Sequence, residues 1–335
     1  MKRWLTVTAA LMVLAGVNAF LARAATVAAS GPAIAQDDPA KKAEAEAYKA
    51  WYDARTDSSK GLPLAKAYVE KFPSGANVAY VKNYIAKARG EAFNQAMQSK
   101  DVAKMIQLGN EALAEDPNSL DYLYLLAYSI RQDELAANPR SYAHAGEAAD
   151  YTNRAIKFIE EGKVPAVAPK PFNKNSTLNF LYQNLALIEL NKKNNDKALE
   201  YYVKAASLDG SDPQNFLQCG VVHQMKYQAA LVKYQGMPEA DRTAAEPKPE
   251  IKAALDEVNR EADSVIDCWA RFMAVSANNA AYASTRTQVG TALSDLYKYR
   301  HPDSPEGLQK LIDQYKAQAG TPSAGNTASA NTNHI

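Results

Sequence analysis

Between Asn184 and Pro213 the chain reads NLALIELNKKNNDKALEYYVKAASLDGSDP, and the placing of its smallest apolar residues restricts what it can fold into. Ala186, Ala198 and Ala205 interrupt an otherwise bulky helical pattern that includes Tyr182, Leu185, Leu190, Leu199, Tyr202 and Leu208. An isolated amphipathic helix would bury more area with leucine at those three positions. Alanine there implies that another backbone approaches closely, as when two antiparallel helices cross with small residues at the crossing and large ones beside it. A bulkier residue at Ala186 or Ala198 would overpack the crossing, at a cost of about 1–3 kcal/mol.

Helical periodicity extends over nearly all of the 335 residues, and no segment alternates like a strand for more than a few residues. Only 15 Gly and 16 Pro punctuate it, and 47% of the residues are hydrophobic, enough for a sizeable core. Breaks are expected at 56–63, 71–77, 115–119, 133–144, 161–177, 209–213, 234–250 and 300–307, with one helix running from near Glu91 to the break at 115–119. The helices come in pairs joined by short turns. The first pair around the alanines runs from about Leu178 to Lys192 and from about Asp196 to Leu208, and 213–234 with about 250–276 reads as an enlarged hairpin.

The pairs also repeat. Shifted by 34 residues, Tyr182, Leu185 and Ala186 fall on Phe216, Cys219 and Gly220. Leu123, Leu126 and Ala127 show the same profile, as do Ala148, Thr152 and Ala155, and Met105, Gly109, Ala112 and Pro117, for second helices. The stretch 179–212 resembles a tetratricopeptide repeat (TPR), a family of helix hairpins with a period of about 34 residues. Tyr182, Leu185 and Ala186 match its first helix, Ala198, Tyr202 and Ala205 its second, and Leu208-Asp209-Gly210 stands where the family often has Leu-Asp-Pro. The match is partial over 86–117 and 120–158 and degenerate over 213–278, where Phe272 occupies the place of a small residue. The resemblance implies an all-α fold, an α-solenoid of TPR-like hairpins with degenerate and enlarged repeats and a helical C-terminal cap. The expected organisation is a signal at 1–35, a helical region with a degenerate repeat at 36–85, repeats at 86–278, capping helices at 279–318 and a disordered tail at 319–335.

The signal follows from the N-terminus. MKRW is a positive segment, Leu5–Leu21 an apolar one, and Ala33-Ile34-Ala35 an A-x-A cleavage site before Gln36. Thr6, Thr8, Gly16 and Asn18 weaken that stretch as a membrane span, and it is short for one. The chain is therefore expected to be periplasmic or secreted, with retention at the membrane by an uncleaved segment as the alternative. Removing residues 1–35 takes Lys2, Arg3 and Arg23 and leaves 35 basic against 37 acidic residues, a formal charge of −2. Neither that balance nor the +1 of the full chain points to nucleic acid, and the mature chain has no membrane span.

By the geometry of the resembled family, first helices line a concave face. That would place Tyr124, Tyr128, Arg131, Gln183, Leu187, Leu190, Asn191, Leu217, Val221 and Gln224 in a groove for a protein or peptide. Tyrosine outnumbers the other aromatics at 19, against 8 Phe and 3 Trp, and Tyr and Arg are favoured interface anchors. Tyr122 and Tyr182 read instead as plugs at repeat junctions, and Trp51 and Trp269 as core. The basic clamp that chaperone-cofactor repeats use for a terminal carboxylate is missing, since the corresponding residues include Gln183 and Leu187. An extended peptide or a helix suits the remaining mix.

No catalytic or metal motif stands out. The four His show no H-E-x-x-H arrangement, there is no C-x-x-C, Walker loop or G-x-S-x-G, and His223 reads as a packed or solvent-facing residue rather than a ligand. No cofactor and no metal are expected, and the chain is read as non-enzymatic: an exported scaffold for protein–protein interaction. The alternatives are a structural component of a cell-envelope assembly complex, to whose repeat proteins YVEKFPSG is similar, or an accessory subunit of an enzyme. Cys219 and Cys268, the chain's only cysteines, lie 23 residues before and 26 after the centre of the enlarged hairpin near residue 242, hence at similar height. They form either a disulfide, as an oxidising compartment favours, or two small core residues.

Overall fold

The structure is a computed structural model, and it describes residues 39–302, 304 and 306–319. The expected export signal at 1–35 and the tail beyond Ala319 lie outside the described residues. Every regular element described is helical. No helix among the described residues is long and apolar enough to cross a membrane.

The described chain packs as two units. The first takes in the chain through Asn138 together with Glu160–Phe172, and the second Pro139–Ile159 and the chain from Asn173. The first unit contains α1 (Pro39–Ala54), α2 (Ser58–Lys71), α3 (Val78–Ser99), α4 (Val102–Glu115) and α5 (Leu120–Ile130), continued by a π-helical turn, Arg131–Leu135. Each helix packs on the next. Its core joins Trp51 of α1, Ala65 and Tyr68 of α2, and Val78, Val81 and Ile85 of α3. Further along, Leu126 of α5 sits so close to Gly109 of α4 that a Cβ on that glycine would lie 2.6 Å from a leucine methyl.

Two local features of this unit differ from expectation. The helix expected from near Glu91 is two helices, because Lys100 takes a left-handed conformation (φ 57°) and Asp101 caps α4 by accepting from the Lys104 amide at 3.0 Å. The 56–63 break is shorter than expected: Asp57 accepts from the Ser59 amide at 3.0 Å, and α2 starts at Ser58 with Gly61 and Pro63 inside it. Pro63, in the second turn, has no N–H to donate, so α2 runs through it one intrahelical bond short.

The second unit contains α6 (Ala145–Glu160, whose last residue groups with the first unit), α7 (Lys174–Asn191), α8 (Asn195–Leu208), α9 (Pro213–Gln235), the short α10 (Glu239–Arg242), α11 (Pro249–Val275), α12 (Ala283–Arg300) and α13 (Gly307–Ala319). Helix α7 packs on α8, α8 on α9, α9 on α11, and α11 on both α12 and α13. Ala186, Ala198 and Ala205 are each fully buried, and Ala186 clusters with Tyr202 and Val222. The short side chains thus lie at helix crossings, as the spacing required. Helix α9 starts where Asp212 caps it, accepting from the Gln214 amide at 2.9 Å, with Pro213 in the first turn. Helix α11 likewise starts with Pro249. The enlarged hairpin of the sequence reading is α9 against α11, with α10 in its connection. The core of this end joins Val265, Trp269 and Phe272 of α11 to Val289, Leu293 and Tyr297 of α12 and Ile312 of α13.

Candidate functional site

In the second unit a cleft lies between α9, α11 and α12, beside a glycine of α9. Gly220 is the 34-residue counterpart of Ala186, and even alanine would not fit there. A Cβ at Gly220 would lie 2.1 Å from Cδ1 and 2.2 Å from Nε1 of the Trp269 indole. The indole therefore packs close against the α9 backbone at Gly220, 4% exposed, and its N–H has no hydrogen-bond acceptor among the described residues. Beside it is a cleft of about 270 Å³ lined by Gln224, Tyr227, Trp269, Ala292, Asp295, Leu296 and Tyr299. Burial raises the Tyr227 hydroxyl above its ordinary pKa, and the neighbouring Tyr299 adds to the shift. Three aromatic rings, one amide and one exposed carboxylate line the cleft. The cleft's lining contains no nucleophile–base pair and only one carboxylate, Asp295.

A second cluster lies on a different face of α9, where Cys219 and His223 are four residues apart. Cys219 and Cys268 are joined sulfur to sulfur between α9 and α11, with Cα atoms 5.8 Å apart, within the range such a bridge needs. His223 stands four residues after Cys219, and its donor atom and the two sulfurs lie within 4.8 Å of one another. His223 Nδ1 is 2.7 Å from Glu261 Oε2. The Glu261 side chain is 4% exposed, with Lys226 Nζ at 3.4 Å and Arg260 Nη2 at 3.6 Å. Burial alone would push the Glu261 carboxyl up, but the His223 hydrogen bond and the Lys226 charge outweigh it and hold the group below its ordinary value.

The residues expected to line a groove divide into three sets. Gln224 lines the cleft. Tyr128, Arg131, Leu190, Leu217 and Val221 are partly buried, and Asn191 is exposed at the end of α7. Leu190 rests on the Ala186–Tyr202–Val222 cluster and Leu217 on the core around Trp269. Tyr124, Gln183 and Leu187, expected on an open face, are 9%, 3% and 4% exposed. Gln183 is turned inward because its amide is needed there. It donates to Asp212 Oδ2 at 2.7 Å and to Asn215 Oδ1 at 2.7 Å, in a network where Asn215 donates to Asn179 at 2.8 Å and Asn179 to Asp212 at 2.8 Å. In the first unit, Tyr124 lies beside Tyr128 with ring centroids 6.3 Å apart, and burial raises its hydroxyl pKa.

Of the residues lining the cleft, Gln224 is expected on a binding face and Trp269 in the core, where it lies, while the spacing assigns no role to Tyr227, Asp295, Leu296 and Tyr299. Gly220, a notch deeper than the alanines, signals the Trp269 ring that fills it and not those four residues. A scan against protein-family models and a search of the curated proteins give no match to this chain.

Proposed function

We propose that the chain is an exported, non-enzymatic scaffold that binds a protein or peptide partner in the periplasm or outside the cell, and that α7–α11 of the second unit belong to a solenoid of TPR-like hairpins with α12 and α13 as its cap. The small-residue crossings at Ala186, Ala198, Ala205 and Gly220, and the sequential packing of α7, α8, α9 and α11, support the solenoid reading. The observation that carries the binding reading is the cleft at Gln224. Aromatic rings flanking a single carboxylate suit an extended segment that presents a basic or flat side chain, through ring stacking, cation–π attraction and one charged hydrogen bond. The N-terminal segment with its A-x-A site supports export.

The test joins capture to a variant. The mature chain, immobilised, should recover a stoichiometric protein from an envelope extract of its host. A Gln224→Ala, Tyr299→Ala double variant should lose most of that recovery while keeping its helical circular dichroism, because Tyr299 is 56% exposed and Gln224 only half-buried. Equal recovery by the variant removes the cleft from the reading, and no recovered protein removes the scaffold. N-terminal sequencing of the exported chain should begin at Gln36.

A further inference from the structure

The cluster at Cys219, His223 and Cys268 contains the donor set of a metal site. Cys219 and His223, four residues apart, occupy one face of α9, and Cys268 of α11 faces them. Zn–S bonds of about 2.3 Å and Zn–N bonds of about 2.0–2.1 Å in a tetrahedron put donors roughly 3.4–3.8 Å apart. The three donors here already lie within 4.8 Å of one another. The second shell is present as well. Glu261, buried, holds Nδ1 of His223 at 2.7 Å. A carboxylate in that position fixes the imidazole with its other nitrogen free to ligate, and makes it a stronger base. From sequence alone His223 reads as a bystander, and the spacing from Cys219 takes on meaning only once α11 brings Cys268 and Glu261 to it.

We propose that Cys219, His223 and Cys268 form a redox-gated site for a thiophilic divalent cation, Zn2+ in the first instance, that is closed by the disulfide and opened by a dithiol. The dithiol reductant supplies two electrons and two protons. The Cys219–Cys268 bond breaks to give two thiols, and the reductant leaves as its own cyclic disulfide. Zn2+ then displaces the two thiol protons and forms two Zn–S bonds and one Zn–N bond, with water at the fourth position. Cys219 is only half-buried, so the bond can be reached from solvent, whereas Cys268 is 6% exposed. Two thiolates with one imidazole favour Zn2+ over the hard cations, which take oxygen ligands.

The full mature chain, oxidised and after anaerobic reduction with a water-soluble phosphine that is then removed, is titrated with Zn2+ against a chromogenic chelator and separately with Co2+ followed by absorbance. The reduced chain should bind one equivalent of Zn2+ at least 100-fold more tightly than the oxidised chain, and its Co2+ form should show thiolate charge transfer with the intense visible bands of a four-coordinate ion. His223→Gln should weaken Zn2+ binding by at least 10-fold. Glu261→Gln should weaken it by about 10–100-fold with the Co2+ spectrum unchanged. Absence of stoichiometric binding by the reduced chain, equal binding by the oxidised chain, or an undiminished affinity in His223→Gln overturns the proposal. Should either variant lose its helical circular dichroism, the wild-type Co2+ spectrum decides: without thiolate charge transfer the site is refuted.

Discussion

At the scale of single residues, glycines in helices separate packing from propensity. Gly220 and Gly90 are both interior to α-helices, but a Cβ at Gly220 would run into the Trp269 indole, whereas nothing lies within 4 Å of one at Gly90. Gly220→Ala is therefore expected to destabilise the chain by about 1–3 kcal/mol. Gly90→Ala is expected to stabilise it by about 0.5–1 kcal/mol, the helix-propensity difference alone. Urea unfolding midpoints measure both, and a stabilised Gly220→Ala would mean that the indole is not where the structure has it. Charge gives a second test in the first unit. Arg89 is 7% exposed and donates twice to the Glu115 carboxylate at 2.8 Å. Those hydrogen bonds come first among the influences that hold the Glu115 pKa below its ordinary value. A depressed folded-state pKa contributes stability that is present above the unfolded pKa and is lost as pH falls through the folded one. Glu115→Gln is thus expected to cost about 1–2 kcal/mol near pH 7, a value kept low because the carboxylate is 59% exposed. The difference from wild type should shrink once the pH drops below the ordinary carboxylate range, and a difference that stays constant down to acid pH would show that the pair adds no charge-dependent stability.

At the scale of elements, the sequence was most legible where two signals agreed. For α7 and α8 the alanine spacing and the LDGSDP turn agreed, and the helices found, Lys174–Asn191 and Asn195–Leu208, differ from the expected ones only at the first start and by a residue elsewhere. The α3–α4 boundary was missed because nothing at Lys100–Asp101 breaks the apolar periodicity. The break there is made by a backbone conformation and an aspartate cap, with no Gly or Pro to mark it. A similar limit applies to the residues expected to line a groove. Helical spacing says which residues share a face, but not whether a neighbouring element closes over it, as happens to Gln183 when Asp212 and Asn215 claim its amide. That network ties the start of α9 to α7, with Gln183, Asn179 and Asn215 all under 5% exposed. Asn215→Ala would leave Asn179 Oδ1 and Gln183 Nε2 each short of a partner in a buried setting. It is expected to cost about 1–3 kcal/mol, read as a lower urea midpoint. A polar residue that merely faced a water-filled groove would give a change within about 0.5 kcal/mol.

At the scale of the whole molecule, the two units differ in what holds them. The chain's only cysteines, Cys219 and Cys268, are both in the second unit, and their bond spans a 49-residue separation. In the chain-entropy account, closing a loop of that length restricts the unfolded chain enough to add about 4 kcal/mol. Each unit has one tryptophan among the described residues, fully buried Trp51 in the first and Trp269 in the second. The mature chain expected from cleavage before Gln36 contains no other. Trp51→Phe leaves Trp269 as the sole indole and Trp269→Phe leaves Trp51, so each variant reports one unit by fluorescence. Reduction of the Trp51→Phe chain, with metal excluded by a chelator, should lower its unfolding midpoint by the equivalent of about 4 kcal/mol. The Trp269→Phe chain should show a much smaller shift in the transition that Trp51 reports, since no bond in the first unit is cut. Equal shifts in both would mean that the units unfold as one cooperative block. No shift in either would mean that the bond restricts a chain already held together by the packing of α9 on α11. Adding Zn2+ to the reduced chain in place of the chelator should restore part of the loss at Trp269 and none at Trp51, because a ligand that binds only the folded site stabilises the unit that contains it.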